Sequence, residues 1–407
     1  MNTFSELSVS PLLKNNLARN GFTTPTPIQA LAIEPALAGQ DLVATAETGT
    51  GKTLAFALPI IQRLAEHRTP AGVRAVILSP TRELALQINE TFVKMAAGTG
   101  IRSAVVVGGL SEQSQLQSIR KGAQVVIATA GRLYDFLSRR LINLKVVDTL
   151  VLDEADRMLD MGFLPTIKRI VAAMPTARQT MFFSATIETS VKHLVEEYVP
   201  NAVRIETGST TKPTGQVDLR LYEVEQDRKL DLLHRMLRDE EGSFLVFART
   251  KHGADRLARR LADHGFETTA IHGDRSQSQR NRALRGFQEG EYRVLVATDV
   301  AARGIHVDGI SHVVNYDLPQ VPEDFIHRVG RTGRAGARGT ASTFGTRSER
   351  SVVAQIERAL AIRLIRYQET GEVSSDQTDA AAKSQSRRWR SFGPARGAGR
   401  RQIRQVV

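Results

Sequence analysis

The sequence predicts an α/β protein built from two successive parallel sheets. Short apolar runs without polar alternation recur along the chain, and this pattern is typical of strands that are buried on both faces. Helical patterns lie between the runs, for example over residues 83–95. A stretch rich in Gly, Ser, Thr and Pro at residues 207–216 interrupts the alternation. The pattern then resumes, so we predict two lobes of similar construction.

The predicted strands are rich in β-branched and other apolar residues. In the first lobe we predict strands at residues 41–46, 75–79, 104–108, 124–129, 149–153 and 180–185. In the second lobe we predict strands at residues 244–248, 268–273, 292–298 and 312–317. The domain organisation that follows is a first lobe at 1–206, a linker at 207–216, a second lobe at 217–368 and a tail at 369–407.

The tail differs in composition from the rest of the chain. The periodic pattern of hydrophobic residues ends there, and Ser, Gln, Ala, Gly and Arg predominate. We therefore predict that the tail is disordered when unbound. Residues 381–407 contain one lysine, seven arginines and no acidic residue, which is eight of the twelve net positive charges of the chain. Trp389 and Phe392 lie among these arginines, and this combination favours nucleic-acid binding through stacking and phosphate attraction. A tail that only increases solubility is the alternative.

The composition excludes several classes of chemistry. The 407 residues include no cysteine, which excludes disulfides, thiol nucleophiles and cysteine-ligated metals and is compatible with a reducing compartment. No apolar run approaches the roughly 18–20 residues that cross a bilayer. The N-terminal sequence lacks the pattern of a secretory signal. We therefore expect a cytoplasmic protein.

A glycine-rich loop between a strand and a helix predicts a phosphate site in the first lobe. Backbone N–H groups of such a loop face phosphate oxygens, and the helix N-terminus adds the positive end of its dipole. Lys52 is placed to reach the β- and γ-phosphates, and Thr53 to ligate Mg²⁺. Ala46 stands where the first glycine of the general pattern usually lies, and a turn that merely caps the helix is the alternative. The predicted nucleotide contacts in this loop are Thr48, Gly49, Thr50, Gly51, Lys52 and Thr53.

An acidic cluster at the end of the predicted strand 149–153 supplies the second part of this site. The strand delivers Asp153 to the C-terminal edge of the sheet, where open α/β sheets bind ligands. Asp153 is predicted to hold Mg²⁺, directly or through water, and Glu154 to orient or deprotonate the attacking water. A solvated helix start is the alternative for an isolated acidic cluster. The position of Asp153 in the same lobe as Lys52, on a separate strand, favours the catalytic interpretation.

An ordered series of short motifs surrounds these residues. In the first lobe they are GFTTPTPIQ at 21–29 with an upstream aromatic at Phe4, PTRELA at 80–85, GG at 108–109, TAGR at 129–132, DEAD at 153–156 and SAT at 184–186. In the second lobe they are QSQR at 277–280, the segment 297–304 and HRVGRTGR at 327–334. The series covers roughly residues 4–365 and resembles the DEAD-box RNA helicases of superfamily 2. The resemblance implies two tandem RecA-like lobes, use of ATP with Mg²⁺, and RNA as the partner.

The resemblance also implies roles for individual residues. Phe22 is expected to stack on adenine and Gln29 to read its edge with a paired donor and acceptor. Without the resemblance, the two would be interpreted as a core residue and a helix cap. Asp299 is expected among the nucleotide contacts. Arg331 and Arg334 share one helix face and resemble arginine fingers, which bring positive charge to the γ-phosphate from the opposite lobe.

Contacts to RNA and a coupling path complete the implied site. Contacts to phosphate give affinity without sequence specificity, and contacts to the 2′-OH distinguish RNA from DNA. The implied RNA-binding residues are Arg82, Gly109, Thr129, Arg132, Thr250, Gln277, Thr298 and Arg303. The residues implied to couple hydrolysis to RNA binding are Ser184, Thr186, Asp156 and His327.

Two positions depart from the family pattern. Ala130 replaces the proline of the usual Thr-Pro-Gly-Arg motif, and the residue that would fix φ is therefore lost. His306 stands where the family has an aspartate that is expected to touch the ribose of ATP, so we assign it no role. Asp308 is a partial substitute for that aspartate. Among subgroups, the compact core and short basic tail look most similar to the bacterial RhlE-type proteins.

Together these features predict an ATP-dependent RNA helicase. The predicted catalytic residues lie on both lobes, so the site is complete only when the lobes close, and RNA bound across both lobes would favour the closed state. A bent single strand is incompatible with a regular duplex, which predicts local separation of short duplexes and release of RNA after hydrolysis. An ATP-gated RNA clamp or scaffold and a DNA translocase of the same superfamily are the alternatives. Ribosome-assembly and RNA-decay proteins are the partner classes that the family implies, and we expect a monomer.

Overall fold

Two sheets, one in each lobe, organise the chain in this computed structural model. The structure describes residues 3–46, 50–66, 72–185, 189–207, 217–302, 307, 309–333 and 338–368. Each sheet has seven strands, and all strand pairs are parallel. The predicted fold class of two tandem α/β lobes is therefore confirmed. The tail at 369–407, predicted to be disordered, lies outside the described residues.

The first sheet places the predicted catalytic strands next to one another. Its spatial order is β3-β4-β2-β5-β6-β1-β7, so that β5, β6 and β1 are neighbours. The strands are β1 (Leu42–Thr45), β2 (Ala75–Ser79), β3 (Ser103–Val106), β4 (Val125–Thr129), β5 (Thr149–Asp153), β6 (Gln179–Ser184) and β7 (Val203–Glu206).

Helices connect these strands and pack on both faces of the sheet. They follow a short 3-10 helix at Phe4–Glu6. The helices are α1 (Pro11–Arg19), α2 (Pro27–Leu37), α3 (Lys52–Glu66), α4 (Arg82–Ala96), α5 (Glu112–Arg120), α6 (Ala130–Ser138), α7 (Ala155–Asp160), α8 (Leu164–Val171) and α9 (Thr189–Tyr198).

The second sheet repeats the topology of the first. Its spatial order is β10-β11-β9-β12-β13-β8-β14, in which each strand takes the place of the strand seven numbers earlier in the first sheet. The strands are β8 (Val217–Glu223), β9 (Phe244–Phe247), β10 (Thr268–Ile271), β11 (Val294–Ala297), β12 (His312–Asn315), β13 (Gly339–Gly345) and β14 (Ile365–Tyr367). The helices are α10 (Lys229–Asp239), α11 (Lys251–Asp263), α12 (Gln277–Gln288), α13 (Asp299–Ala302), α14 (Pro322–Val329) and α15 (Arg350–Ala359), with a 3-10 helix at Arg347–Glu349.

Apolar side chains fill both faces of each sheet. In β2, Ile77 packs into the core on one face, whereas Val76 packs into the core on the other. In β9, Leu245 and Val246 are divided between two cores in the same way. Because successive side chains of a strand point to opposite faces, a strand with helices on both sides must be apolar throughout.

The ten predicted strands are all confirmed, with ends that lie within two residues of the predicted ones. The helical pattern at 83–95 corresponds to α4. Four strands were not predicted. β8 alternates polar and apolar residues, and β13 is rich in Gly, Ser and Thr, so neither contains a continuous apolar run. β7 and β14 are short strands at the outer edges of the sheets.

Within the described residues, we find no helix that combines the length and the apolar character required to span a membrane. The linker predicted at 207–216 lies between β7 and β8, and residues 208–216 are outside the described part of the chain.

The helix that follows the first strand begins with a buried lysine in both lobes. α3 begins at Lys52 and α10 at Lys229, and both side chains are buried. The Lys229 Nζ donates a hydrogen bond to the backbone oxygen of Tyr316 at 3.0 Å and lies 3.7 Å from Glu349 Oε2. Burial lowers the pKa of Lys229, and the carboxylate of Glu349 opposes this shift. A protein carboxylate therefore neutralises the lysine of the second lobe.

Substitution of this lysine tests its structural role. Lys229→Met retains much of the side-chain volume but leaves the Tyr316 carbonyl and the Glu349 carboxylate without their cation. We expect the free energy of unfolding of the second lobe to fall by about 1–3 kcal/mol, measured by urea denaturation. Lys251→Met is the control, because Lys251 of the same lobe pairs with Asp274 at 2.5 Å on an exposed surface. Equal effects of the two substitutions would contradict the role assigned to Lys229.

Candidate active site

The phosphate-loop lysine lies at the sheet edge where β1, β5 and β6 end. Lys52 is buried at the start of α3, and its Nζ donates a hydrogen bond to the backbone oxygen of Ala46 at 2.9 Å. Gly51 precedes it with a φ of +90°, a backbone conformation that favours glycine. Thr53 follows on the first turn of α3 and is half-buried. The lysine and the threonine thus stand at a helix N-terminus, where phosphate groups bind readily.

The amide of Gln29 joins the start of α2 to the phosphate loop. Its Oε1 accepts a hydrogen bond from the Thr26 N–H at 2.9 Å, and its Nε2 donates to the Gly51 carbonyl at 3.0 Å. A Cβ at position 51 would overlap this amide, so glycine is required there. Phe22 is half-buried and packs against the core of the first lobe. The predicted reading of adenine by Phe22 and Gln29 stays a prediction, and Gln29 would have to exchange these hydrogen bonds to perform it.

Asp153 ends β5 in a nearly fully buried position. Burial raises the pKa of its carboxyl group to about 7, although the Lys52 ammonium acts in the opposite direction. A divalent cation beside Asp153 would keep this carboxylate ionised. In the part of the chain that the structure describes, no group of three or more His, Cys, Asp or Glu could hold a metal. Asp153 and Thr53 together with nucleotide phosphates nevertheless fit Mg²⁺, which commonly binds through one or two carboxylates and phosphates.

Glu154 has a left-handed backbone conformation, with a φ of 50°, immediately before α7. Its Oε2 accepts a hydrogen bond from Arg157 Nη1 at 2.6 Å. Burial by itself would raise the pKa of Glu154, but the charges of Arg157, Lys52 and Arg331 outweigh it and hold the pKa at about 2. The Glu154 Oε1 is buried without a hydrogen-bond partner among the described residues. An ionised carboxylate with one unengaged oxygen can accept a hydrogen bond from a water molecule.

Sequence reasoning missed Arg157, although a signal was present. An arginine three residues after a glutamate on a helix is in reach of that glutamate. Both side chains are less than one-tenth exposed, so this ion pair is largely shielded from water. Arg157 therefore fixes one oxygen of the predicted general base and keeps the base ionised.

The second lobe contributes Arg331 to the same site, but Arg331 follows the end of α14 at Val329, so the prediction that it shares a helix face with Arg334 is wrong. Arg331 is buried, and its Nε donates a hydrogen bond to the His327 backbone oxygen at 3.2 Å. Its charge is one of those that lower the pKa of Glu154, which places the two groups in electrostatic contact across the lobes. The charge of Arg331 therefore acts on Glu154 of the other lobe, and the role of Arg331 as an arginine finger stays a prediction.

Asp299 lies beside a second buried arginine of this lobe. Its two carboxylate oxygens accept hydrogen bonds from Arg328 Nε at 2.6 Å and Nη2 at 2.8 Å. Arg328 also donates to Asn315 Oδ1 at 3.1 Å and to the Asp317 backbone oxygen at 2.7 Å. Asp299 thus positions α14 through Arg328, whose role the sequence did not reveal. Its predicted contact with nucleotide stays a prediction.

Two of the predicted coupling residues, Asp156 and Ser184, are adjacent. Asp156 Oδ2 accepts a hydrogen bond from the Ala185 N–H at 2.9 Å, and the Asp156 N–H donates to Ser184 Oγ at 3.3 Å. Burial lowers the pKa of His327, and the charge of Asp156 opposes this shift, so the histidine of the second lobe faces this carboxylate. Asp156 therefore links α7 to the end of β6, and the predicted path onward through Thr186 and His327 stays a prediction.

A groove of about 560 Å³ runs between the lobes and carries several predicted RNA contacts. Arg82 lies over the backbone of Gly108 and Gly109, where a Cβ at position 109 would overlap its guanidinium. The two glycines therefore provide the flat surface on which Arg82 rests. The groove is lined by Pro80, Thr81, Arg82, Glu83, Gly108, Thr129, Gly131, Arg132, Asp135, Met161 and Phe163 of the first lobe and by Gly273 and Arg280 of the second.

Glu83 connects the lobes at one side of this groove. Its Oε1 accepts a hydrogen bond from Gln277 Nε2 at 2.9 Å, and its Oε2 lies 3.0 Å from Arg280 Nη2. Gln277, predicted to contact RNA, therefore contacts the other lobe in this structure, and its role toward RNA stays a prediction. Thr250 accepts a hydrogen bond from the Gly253 N–H at the start of α11. Thr298 is buried directly after β11.

Some of the predicted site residues fall in segments for which the structure gives no description. They are Thr48, Gly49, Thr186, Arg303, Arg334 and the departing position His306.

Two parallel-sheet lobes of the same topology, the first with a buried lysine at a helix N-terminus and two buried carboxylates at the end of β5, define a class of two-lobe nucleotide-binding proteins. The sequence model of the DEAD/DEAH box helicases matches residues 26–194, and that of the helicase conserved C-terminal domain matches residues 228–336. A DEAD box protein of Methanococcus jannaschii, solved as a crystal structure, is 37% identical, with a TM-score of 0.54 over 90% of this chain and 99% of that one. This chain belongs to the DEAD-box helicase family.

Two further relatives extend the comparison. Dbp5 of S. cerevisiae bound to RNA and ADP BeF3 is 31% identical, with a TM-score of 0.81 over 95% of this chain and 99% of that one. The DEAD-box ATP-dependent RNA helicase CshA of Streptococcus pneumoniae is 40% identical over 329 residues, which are 81% of this chain and 62% of CshA. The chain therefore spans less than two-thirds of the length of this relative.

The contact at Glu83 makes the arrangement of the lobes testable. Glu83→Gln removes the charge that faces the largely buried Arg280, and we expect the contact to weaken by about 2 kcal/mol. With RNA and a non-hydrolysable ATP analogue bound, the lobes should then separate more often, which small-angle X-ray scattering would detect as an increased radius of gyration. Glu90→Gln is the matched control, because Glu90 is exposed on the same helix. Identical scattering from both variants would show that Glu83 does not hold the lobes together.

Proposed function

We propose that this chain is an RNA-stimulated ATPase that acts as an ATP-dependent RNA helicase. The observation that carries the proposal is the contact of Gln277 and Arg280 of the second lobe with Glu83 of the first. In this arrangement the charge of Arg331 also acts on Glu154. A site completed by residues from two lobes couples hydrolysis to any ligand that draws the lobes together. The TM-score of 0.81 with Dbp5 bound to RNA and ADP BeF3 supports this proposal, because that comparison extends over both lobes.

In the proposed reaction, the first lobe binds ATP through its phosphate loop. The Lys52 ammonium neutralises charge on the β- and γ-phosphates, in exchange for its hydrogen bond to the Ala46 carbonyl. Mg²⁺, when bound by Asp153 and Thr53, would supply a second positive charge at these phosphates. Glu154 orients the attacking water through its unengaged Oε1. Arg331 stabilises the charge that develops on the transferred phosphoryl group, an effect that reaches about 10³-fold or more in other enzymes.

RNA is proposed to occupy the groove that contains Arg82, Thr129 and Arg132. These residues suit contacts to the RNA backbone, which give binding without sequence preference. RNA that touches both walls binds the closed arrangement more tightly than the open one and so promotes closure. We propose that closure separates short duplexes locally and that hydrolysis releases the RNA.

Several finer predictions remain proposals. An ATP-gated RNA clamp would use the same site with little strand separation, and a DNA translocase would use DNA in place of RNA. Membership of the RhlE-type subgroup stays a prediction, because the relative CshA belongs to another subgroup of the family. Partners in ribosome assembly or RNA decay, the monomeric state and the cytoplasmic location likewise stay predictions.

Steady-state ATP hydrolysis by the wild type and by Glu154→Gln tests the proposal. We expect single-stranded RNA to stimulate the wild type and DNA of matching sequence to have no such effect. The amide of Glu154→Gln cannot accept a proton from water, so the stimulated rate should fall by about 10²-fold or more. Binding of a fluorescent ATP analogue should be retained and shows that the variant is folded.

The other outcomes distinguish the alternatives. Equal stimulation by RNA and DNA would contradict the proposal in favour of a DNA translocase. RNA retention in the presence of ATP, without displacement of a labelled strand from a short duplex, would favour the clamp. A variant that hydrolyses ATP as fast as the wild type would remove Glu154 from the mechanism.

A further inference from the structure

An ion-pair network lies on the first-lobe wall of the groove. Glu112, at the start of α5, accepts a hydrogen bond from Arg132 Nη1 at 3.1 Å. It also accepts two from Arg139, the residue that follows α6, to Oε1 at 2.7 Å and to Oε2 at 2.9 Å. Asp135 adds a second carboxylate, 3.8 Å from Arg132 and 3.2 Å from Arg139. One of the arginines available to an RNA phosphate is therefore already bound to a protein carboxylate.

Arg132 does not need Glu112 for its orientation. Its guanidinium lies over the ring of Phe136 at 5.5 Å from the ring centre, and its backbone belongs to the first turn of α6. The side chain is about one-fifth exposed. Stacking on an aromatic ring fixes the plane of a guanidinium while leaving its N–H groups free to donate. Glu112 therefore acts on Arg132 mainly by occupying a donor and by neutralising charge.

Glu112 keeps Arg139 as a partner when Arg132 binds another group. The hydrogen bonds from Arg139 lower the pKa of Glu112, so the carboxylate is ionised at neutral pH. Arg139 is about half exposed and is not among the residues that line the groove. If a phosphate takes Arg132, Glu112 remains paired with Arg139 and no carboxylate is left alone. The pairing with Arg139 therefore lowers the free-energy cost of transferring Arg132 from Glu112 to a phosphate.

We propose that Glu112 limits RNA affinity by competing with an RNA phosphate for Arg132. The carboxylate occupies Arg132 in the absence of RNA and yields it to a phosphate on binding, so that Glu112 acts through Arg132 to weaken binding and favour release. This inference rests on the proposed binding of RNA in the groove. In this role Glu112 lowers the affinity for RNA, whereas a residue that contacts RNA raises it.

Binding of a fluorescent single-stranded oligouridylate, with a non-hydrolysable ATP analogue present, tests this inference. We expect Glu112→Gln to bind roughly two- to fivefold more tightly than the wild type at low salt, the range of an exposed ion pair. The slope of log K against log salt, measured between about 50 and 200 mM, should become steeper by up to about 0.7, the value for one additional phosphate contact on a single strand. Glu197→Gln, which breaks an exposed ion pair with Lys168 elsewhere on the first lobe, is the matched control and should change neither quantity.

A double-mutant cycle separates competition from a general effect of charge. If Glu112 acts through Arg132, Glu112→Gln should no longer tighten binding when Arg132→Gln is already present. Equal tightening in both backgrounds, or unchanged or weaker binding by Glu112→Gln alone, would overturn the inference and leave the proposed function intact. Failure of the wild type to bind RNA at all would overturn both.

Discussion

The buried carboxylate of Glu154 is the group on which the two lobes converge. A carboxylate removed from water is ionised only if positive charges surround it. Two of these charges, Lys52 and Arg157, belong to the first lobe, and the third, Arg331, belongs to the second. The electrostatic environment of the predicted general base therefore depends on where the second lobe lies. In physical terms, closure of the lobes adds a cation at the point where negative charge would develop on a phosphoryl group.

The repeated topology explains how one sheet edge serves two purposes. Three strands of each lobe end on one side of this edge: β2, β3 and β4 in the first lobe, and β9, β10 and β11 in the second. These ends carry predicted RNA contacts such as Thr129 and Thr298. The ends of β1, β5 and β6 hold the phosphate loop and Asp153. In the second lobe the equivalent lysine, Lys229, is neutralised by Glu349. In the proposed reaction the second lobe instead presents an arginine, Arg331, to the nucleotide site of the first.

Much of the fold and part of the site were readable from the sequence, because buried parallel strands and phosphate loops have local patterns. The alternating strand β8 was not predicted, because its polar residues interrupt the continuous apolar run on which the prediction relied. The contact between Glu83 and Gln277 joins residues 194 positions apart, and no local pattern reports such a pair. The competition of Glu112 for Arg132 was equally hidden, because it depends on how α5 packs beside α6. Individual motifs could be located, but their hydrogen-bond partners required the structure.

The distance between the lobes tests the central claim that the site is assembled by closure. The chain has no cysteine, so Glu90→Cys on α4 and Arg259→Cys on α11 provide two unique labelling positions for fluorescence energy transfer. The account predicts that the short distance becomes the major population only when RNA and a non-hydrolysable ATP analogue are both present. It also predicts that RNA-stimulated hydrolysis follows this population. An unchanged distribution of distances while RNA stimulates hydrolysis would contradict it.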